Sequence, residues 1–198
     1  EVTMGAARLQ RAATDDSGWH TSLFEIIKER SFRRGRFTLA SGAESDLYFN
    51  LKPTMMDPLG AYLAAKTFIE IIHAEDVDYV GGLEMGAVPI IGAVAAISVT
   101  EGRPIRTFFV RKAPKEHGTR EKVEGLSPTE SLAGKRVMVL DDVATSGGSI
   151  MKAIEAVRGS GATVEVALVL VDRDEGAKQH LANQGIRLLS VFRAQHFH

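Results

Sequence analysis

Val139-Leu140-Asp141-Asp142-Val143-Ala144-Thr145-Ser146-Gly147-Gly148-Ser149-Ile150 is the stretch on which the fold turns. The run Val137–Leu140 is continuously apolar, the pattern of a parallel strand buried on both faces. Two acids close a strand expected over Arg136–Leu140, a hydroxyl- and glycine-rich turn follows, and an amphipathic helix is expected over Ser149–Arg158. In this reading Asp141–Ser149 is a loop at the carboxyl end of the strand. Thr145–Ser149 can turn several backbone N–H groups into one concavity, because glycine tolerates unusual dihedrals and close approach. The helix dipole adds only about 0.3–1 kcal/mol, so hydrogen bonds must carry most of any phosphate affinity. Asp141 and Asp142 would repel a phosphate placed on them and suit sugar hydroxyls or a hydrated Mg²⁺. An acid pair beside a helix cap is common, and only the whole string is distinctive. It is neither a Walker loop nor a dinucleotide fingerprint.

Strand and helix signals alternate on both sides of this stretch. Strands are expected over Asp78–Gly82, Ile105–Val110, Thr163–Val171 and Arg187–Phe192, and helices over Val88–Thr100 and Glu175–Gln184. Arg111–Gly125 is a polar gap. Such alternation implies an α/β fold, a doubly wound and mostly parallel sheet flanked by helices. Its ligands sit at the carboxyl ends of the strands, which singles out Gly81–Gly86, Arg111–Gly125, Asp141–Ser149 and Asp172–Glu175. Asp57-Pro58 starts a further helix, with an acid at the N-cap and Pro at the first position. Ahead of it, a helix over Trp19–Arg30, capped by Ser17 or Thr21, precedes a hairpin of Arg36–Ala40 and Asp46–Asn50 about Ser41-Gly42.

Composition narrows the classes. With 198 residues, 44% apolar and 25% charged, the chain suits one globular domain. A net charge of −1 gives no footprint for nucleic acid or for a polybasic membrane binder. The absence of cysteine excludes disulfides, thiolate nucleophiles and Cys-ligated zinc. Glu1–Ser17 lacks the apolar core of a signal peptide and is expected to be a loose tail, and no run is long enough to span a bilayer. Cytoplasm is the expected compartment. His20, His73 and His180 have no partners at metal spacing, His196 and His198 alone make a weak site, and none of them receives a role.

The string Val139–Ser149 resembles the phosphoribosyl-pyrophosphate motif of the type I phosphoribosyltransferases: apolar strand, Asp-Asp, two small or apolar residues, Thr, a small residue, Gly. Arg111-Lys112-Ala113-Pro114-Lys115-Glu116-His117-Gly118 resembles the mobile catalytic loop of orotate phosphoribosyltransferases. Phe37–Gly42 with Tyr48-Phe49-Asn50 resembles their N-terminal segment, and Asp172-Arg173-Asp174-Glu175-Gly176 their strand-end arginine motif. The residues suit those uses chemically. Arg111, Lys112, Lys115 and His117 can neutralise a departing pyrophosphate, Arg173 can grip a carboxylate bidentately, and Tyr48 or Phe49 can stack on a flat base. Strand alternation leaves only one of the aromatic pair facing a ligand.

The resemblance implies the type I phosphoribosyltransferase fold over 1–198, with a hood at 18–56 and a mobile loop at 111–125. It implies Mg²⁺-dependent transfer of phosphoribose from 5-phosphoribosyl 1-pyrophosphate to orotate, in pyrimidine synthesis. Asp141, Asp142, Val143, Ala144, Thr145, Ser146, Gly147, Gly148 and Ser149 would hold the sugar phosphate; Tyr48, Phe49, Thr145 and Arg173 would hold orotate. Lys112, Lys115, His117 and Asp142 would be catalytic, and Mg²⁺ would rest mainly on substrate and water, with Asp141 and Asp142 nearby. A homodimer is implied, with the loop reaching the neighbouring site. Two departures stand out: Ala40 takes the place of a pyrophosphate-binding Lys, for which Lys52 is a stand-in, and Glu84-Met85-Gly86 carries no Lys. A purine phosphoribosyltransferase and an RNA-binding regulator on the same fold are the alternatives, disfavoured by Arg173 with the Arg111–Gly118 string and by the near-zero charge.

Overall fold

The computed structural model describes residues 18–38, 44–113 and 122–197. Helix α1 (Trp19–Arg30) leads into an antiparallel hairpin of β1 (Phe32–Thr38) and β2 (Glu44–Phe49). The short α2 (Lys52–Met55) and long α3 (Pro58–Glu75) come next. Then follow β3 (Tyr79–Leu83), α4 (Val88–Thr100), β4 (Arg106–Val110), β5 (Val123–Glu124), β6 (Arg136–Ala144), α5 (Gly148–Gly159), β7 (Thr163–Asp172), α6 (Ala177–Ala182) and β8 (Arg187–Arg193). A turn of 3₁₀ helix, Ala194–Phe197, follows β8.

The sheet order is β5-β4-β3-β6-β7-β8, parallel except for β5. Taken in chain order, the five parallel strands run 2-1-3-4-5 across the sheet. The direction of winding therefore reverses between β3 and β6. A crevice opens there because the connections after these two strands leave toward opposite faces. Alternate residues of β6 supply both cores: Met138 and Leu140 join a cluster with α1, α3, α4 and the hairpin, while Val137 and Val139 join one with α5 and α6. Burial on both faces is what the continuous apolar run requires.

Several boundaries differ from the sequence reading. Strand β6 runs on through Ala144, because Asp141, Val143 and Ala144 still pair with Val169, Val171 and Asp172 of β7. Asp141–Ala144 are thus strand residues rather than loop. Helix α6 is shorter than expected because it begins only after Gly176, whose φ of 98° is outside helical space. Strand β5 was hidden in the polar gap; its residues answer to β4, not to a local pattern. The hairpin begins at Phe32, with Ala40, Ser41 and Gly42 outside the described residues. Gly18, not Thr21, is the N-cap of α1, and it makes no side-chain cap bond; Ser17 lies outside the described residues.

Asp57 caps α3 as expected, accepting from the N–H groups of Leu59 (3.1 Å) and Gly60 (2.9 Å) and pairing with Arg30 at 2.8 Å. The Asp57→Ala variant is expected to lose about 1 kcal/mol of stability with no change in denaturant slope, read from urea unfolding.

Candidate active site

The carboxyl ends of β3 and β6 bring the first part of the site together. Asp141 is 6% exposed. Its Oδ1 accepts the Asp142 N–H at 3.0 Å, and its Oδ2 accepts the Ser149 hydroxyl at 2.9 Å. Asp142 is less buried, and its Oδ1 accepts the Val143 N–H at 2.9 Å. Burial, and secondarily repulsion from Asp142, push the Asp141 carboxyl up to about 7, against the pull of the Ser149 bond. Gly86 closes over the pair: a Cβ there would lie 2.8 Å from Oδ1 of both aspartates. The adjoining Glu84–Met85 peptide is cis.

The turn after β6 is a cradle of peptide groups. Gly147, at φ 84°, makes the reversal into α5. Among the described residues, none of the N–H groups from Thr145 through Ile150 donates to a protein acceptor. Their direction is set from behind. The Thr145 carbonyl accepts from Ala177 N–H at 3.1 Å, and the Ser146 carbonyl from His180 Nδ1 at 2.8 Å. In a trans peptide the next N–H points the opposite way, so those of Ser146 and Gly147 face away from α6. His180, given no role from sequence, therefore orients the cradle; its contact spans 34 residues and leaves no local signal.

Beside the cradle lies a cleft of about 280 Å³ lined by Tyr48, Phe49, Asn50, Lys52, Asp142, Val143, Thr145 and Arg173. Six orotate or sugar-phosphate candidates from three separate parts of the sequence thus share it: Tyr48, Phe49, Asp142, Val143, Thr145 and Arg173. Tyr48 is 40% exposed and stacks on Phe37, ring centres 5.2 Å apart. Of the aromatic pair, Phe49 turns its ring into the core, 5.1 Å from both Phe32 and Phe197, and strand alternation leaves Tyr48 on the opposite face of β2. The Ala144 side chain is buried in the second cluster, and its carbonyl accepts the Arg173 N–H at 2.9 Å. Arg173 is 8% exposed and pairs with Glu175 at 2.6 Å. A larger cavity, about 820 Å³, lies by β5 and the end of α5 around Pro128, Leu132 and Ser160. Apart from Lys122–Gly125, around β5, it holds none of the candidates, so convergence of chemistry, not size, marks the site.

The stems of the expected catalytic loop are joined. The Arg111 N–H donates to Lys122 O (2.8 Å), and its guanidinium lies 3.7 Å from Glu124. The Lys112 N–H donates to Glu84 Oε1 at 2.8 Å, tying this stem to the turn after β3. Lys115 and His117 lie outside the described residues.

The phosphoribosyl transferase domain family matches residues 58–188. An orotate phosphoribosyltransferase of Bradyrhizobium sp. (strain ORS 278) is 55% identical over 175 residues, covering 88% of this chain and 95% of that one. The chain belongs to the orotate phosphoribosyltransferase family. Among solved structures, the orotate phosphoribosyltransferase of Mycobacterium tuberculosis H37Rv in complex with 5-phospho-alpha-D-ribosyl 1-diphosphate is 31% identical, with a TM-score of 0.74 over 90% of this chain and 98% of that one. That of Aeropyrum pernix is 37% identical, with a TM-score of 0.72 over 88% and 95%. Three of the motifs, around Tyr48, Asp142 and Arg173, line one cleft among the described residues.

The sign of the Asp141 effect is testable without ligand. A carboxyl raised in the folded state contributes stability fully present below its unfolded value, near 4, and lost as pH rises through about 7. The melting temperature of Asp141→Asn is therefore expected to gain on the unaltered protein between pH 5 and about 8; a constant difference across that range would contradict the burial-driven shift.

Proposed function

We propose that the chain transfers phosphoribose from 5-phosphoribosyl 1-pyrophosphate to orotate, giving orotidine 5′-phosphate and pyrophosphate, a step of pyrimidine (UMP) synthesis. The observation that carries this is the cleft in which an aromatic face, a buried arginine and an acid pair meet the edge of a peptide cradle. Relatives named orotate phosphoribosyltransferase at 55% identity support the same reading.

In this reading the 5′-phosphate takes the free N–H groups of Thr145–Ser149, and Asp141 and Asp142 receive the ribose hydroxyls. Orotate lies beside Tyr48 with its carboxylate toward Arg173. The C1′–oxygen bond to pyrophosphate breaks as the bond to the base nitrogen forms, so negative charge grows on the leaving group. Arg111, Lys112, Lys115 and His117 are placed by sequence to neutralise it, and closure of their loop would exclude water. Lys52, which lines the cleft, is the nearest described substitute for the lysine missing at Ala40.

Mg²⁺ fits as a substrate-borne ion. Among the described residues no group of three acidic, His or Cys side chains could hold a metal, and both Asp141 oxygens already accept hydrogen bonds. Asp142 Oδ2 is left as the oxygen for a hydrated, phosphate-bound cation. When bound, the ion supplies positive charge at the pyrophosphate. We assign the chain as one domain, a cytoplasmic homodimer with the loop Arg111–Gly125 reaching the neighbouring site; no described helix is long and apolar enough to cross a membrane.

Mixing the protein with Mg²⁺ and 5-phosphoribosyl 1-pyrophosphate and offering orotate, hypoxanthine, adenine or uracil in turn tests the assignment by absorbance. Turnover is expected with orotate, and turnover of a purine alone, or of no base, would overturn it. Lys115→Ala is expected to lower kcat by about a hundredfold while the Kd for 5-phosphoribosyl 1-pyrophosphate moves far less. An unchanged kcat would remove Lys115 from the chemistry.

A further inference from the structure

Arg173 is held from several sides. Its N–H is bonded to the Ala144 carbonyl, and the following turn is braced by Asp174 N–H to Asp172 Oδ1 (3.0 Å) and Arg193 Nε to Asp174 Oδ1 (2.8 Å). That fixes the backbone and leaves the guanidinium to be aimed by its own contacts. All of those run through Nη2: Ser45 Oγ at 3.0 Å, the Leu47 carbonyl at 3.1 Å and Glu175 Oε1 at 2.6 Å. Two hydrogens on one nitrogen face three acceptors, so the acceptors compete. Ser45 is fixed by its own strand: its hydroxyl donates to Leu47 O at 2.9 Å and accepts the Leu47 N–H at 3.2 Å. Nε and Nη1 donate to no other described residue, and the side chain lines the cleft.

We infer that Ser45 is a positioning residue for base recognition and that Glu175 is an internal competitor for the same guanidinium, an inference that rests on the reading of Arg173 as the carboxylate site. Ser45 and Leu47 anchor Nη2 against the hairpin, which turns the Nε and Nη1 hydrogens toward the cleft as a donor edge for a planar anion. Glu175 competes with Ser45 and Leu47 for the same Nη2 and sets a negative charge on the guanidinium that a substrate carboxylate would use. The two side chains therefore act on orotate with opposite signs, although both are bonded to Arg173.

Steady-state kinetics on the full chain separates these roles. Ser45→Ala is expected to raise KM for orotate about tenfold, with kcat and the KM for 5-phosphoribosyl 1-pyrophosphate within about twofold. Ser45→Thr, which keeps the hydroxyl, is expected to restore it. Glu175→Gln is expected to lower KM for orotate a few-fold. An orotate KM unmoved by Ser45→Ala overturns the inference, and so does an equal rise in both KM values, the mark of a loosened hairpin. If Ser45→Ala does not fold, Glu175→Gln decides: an unchanged or raised KM overturns the inference. Absence of orotate turnover in the unaltered protein would sink the proposed reaction itself, a different failure.

Discussion

A carboxylate is buried at the point where the sheet reverses its winding. Asp141 sits at the carboxyl end of the central strand, covered by Gly86, held by Ser149 and pressed by Asp142. Burial of an acid is unfavourable unless its oxygens are satisfied, and here both are. The surroundings follow from that need. The position covering the pair must be glycine, the helix after the turn must begin with a hydroxyl in reach, and β6 must run on far enough to carry both acids into the crevice. One side of the pair stays wet and open to a ligand rich in hydroxyls.

The cradle obeys a second rule, that a peptide offers its two polar ends in opposite directions. Helix α6 takes the carbonyls of Thr145 and Ser146, and the N–H groups are thereby presented to the concavity without a protein partner. A short helix of no evident chemical interest thus shapes the anion site. Acid pair and cradle are joined by Ser149, whose hydroxyl donates to Asp141 from the first turn of α5.

The hairpin completes the cleft from outside the sheet. Phe49 anchors it through the aromatic cluster with Phe32 and Phe197, while Tyr48, one residue earlier, faces the cleft. Arg173 ties the hairpin to the end of β7 through Ser45 and Leu47. The contacts join residues far apart in the chain, so this wall of the cleft exists only when hairpin and sheet are docked.

Much of this was written locally and could be read. The apolar run Val137–Leu140, the acid pair, the glycines of the turn and the Asp57-Pro58 cap are each decided by neighbours a few residues away, and these determined the α/β class, the crevice and most of the candidates that line it. The tertiary structure alone decided the rest. It extended β6 through Ala144 by pairing with β7, formed β5 against β4, sent Phe49 into the core, and recruited His180, Ser45 and Gly86 to the site. Each of these depends on a partner tens of residues distant, and local pattern holds no record of which distant group will arrive at hydrogen-bonding range.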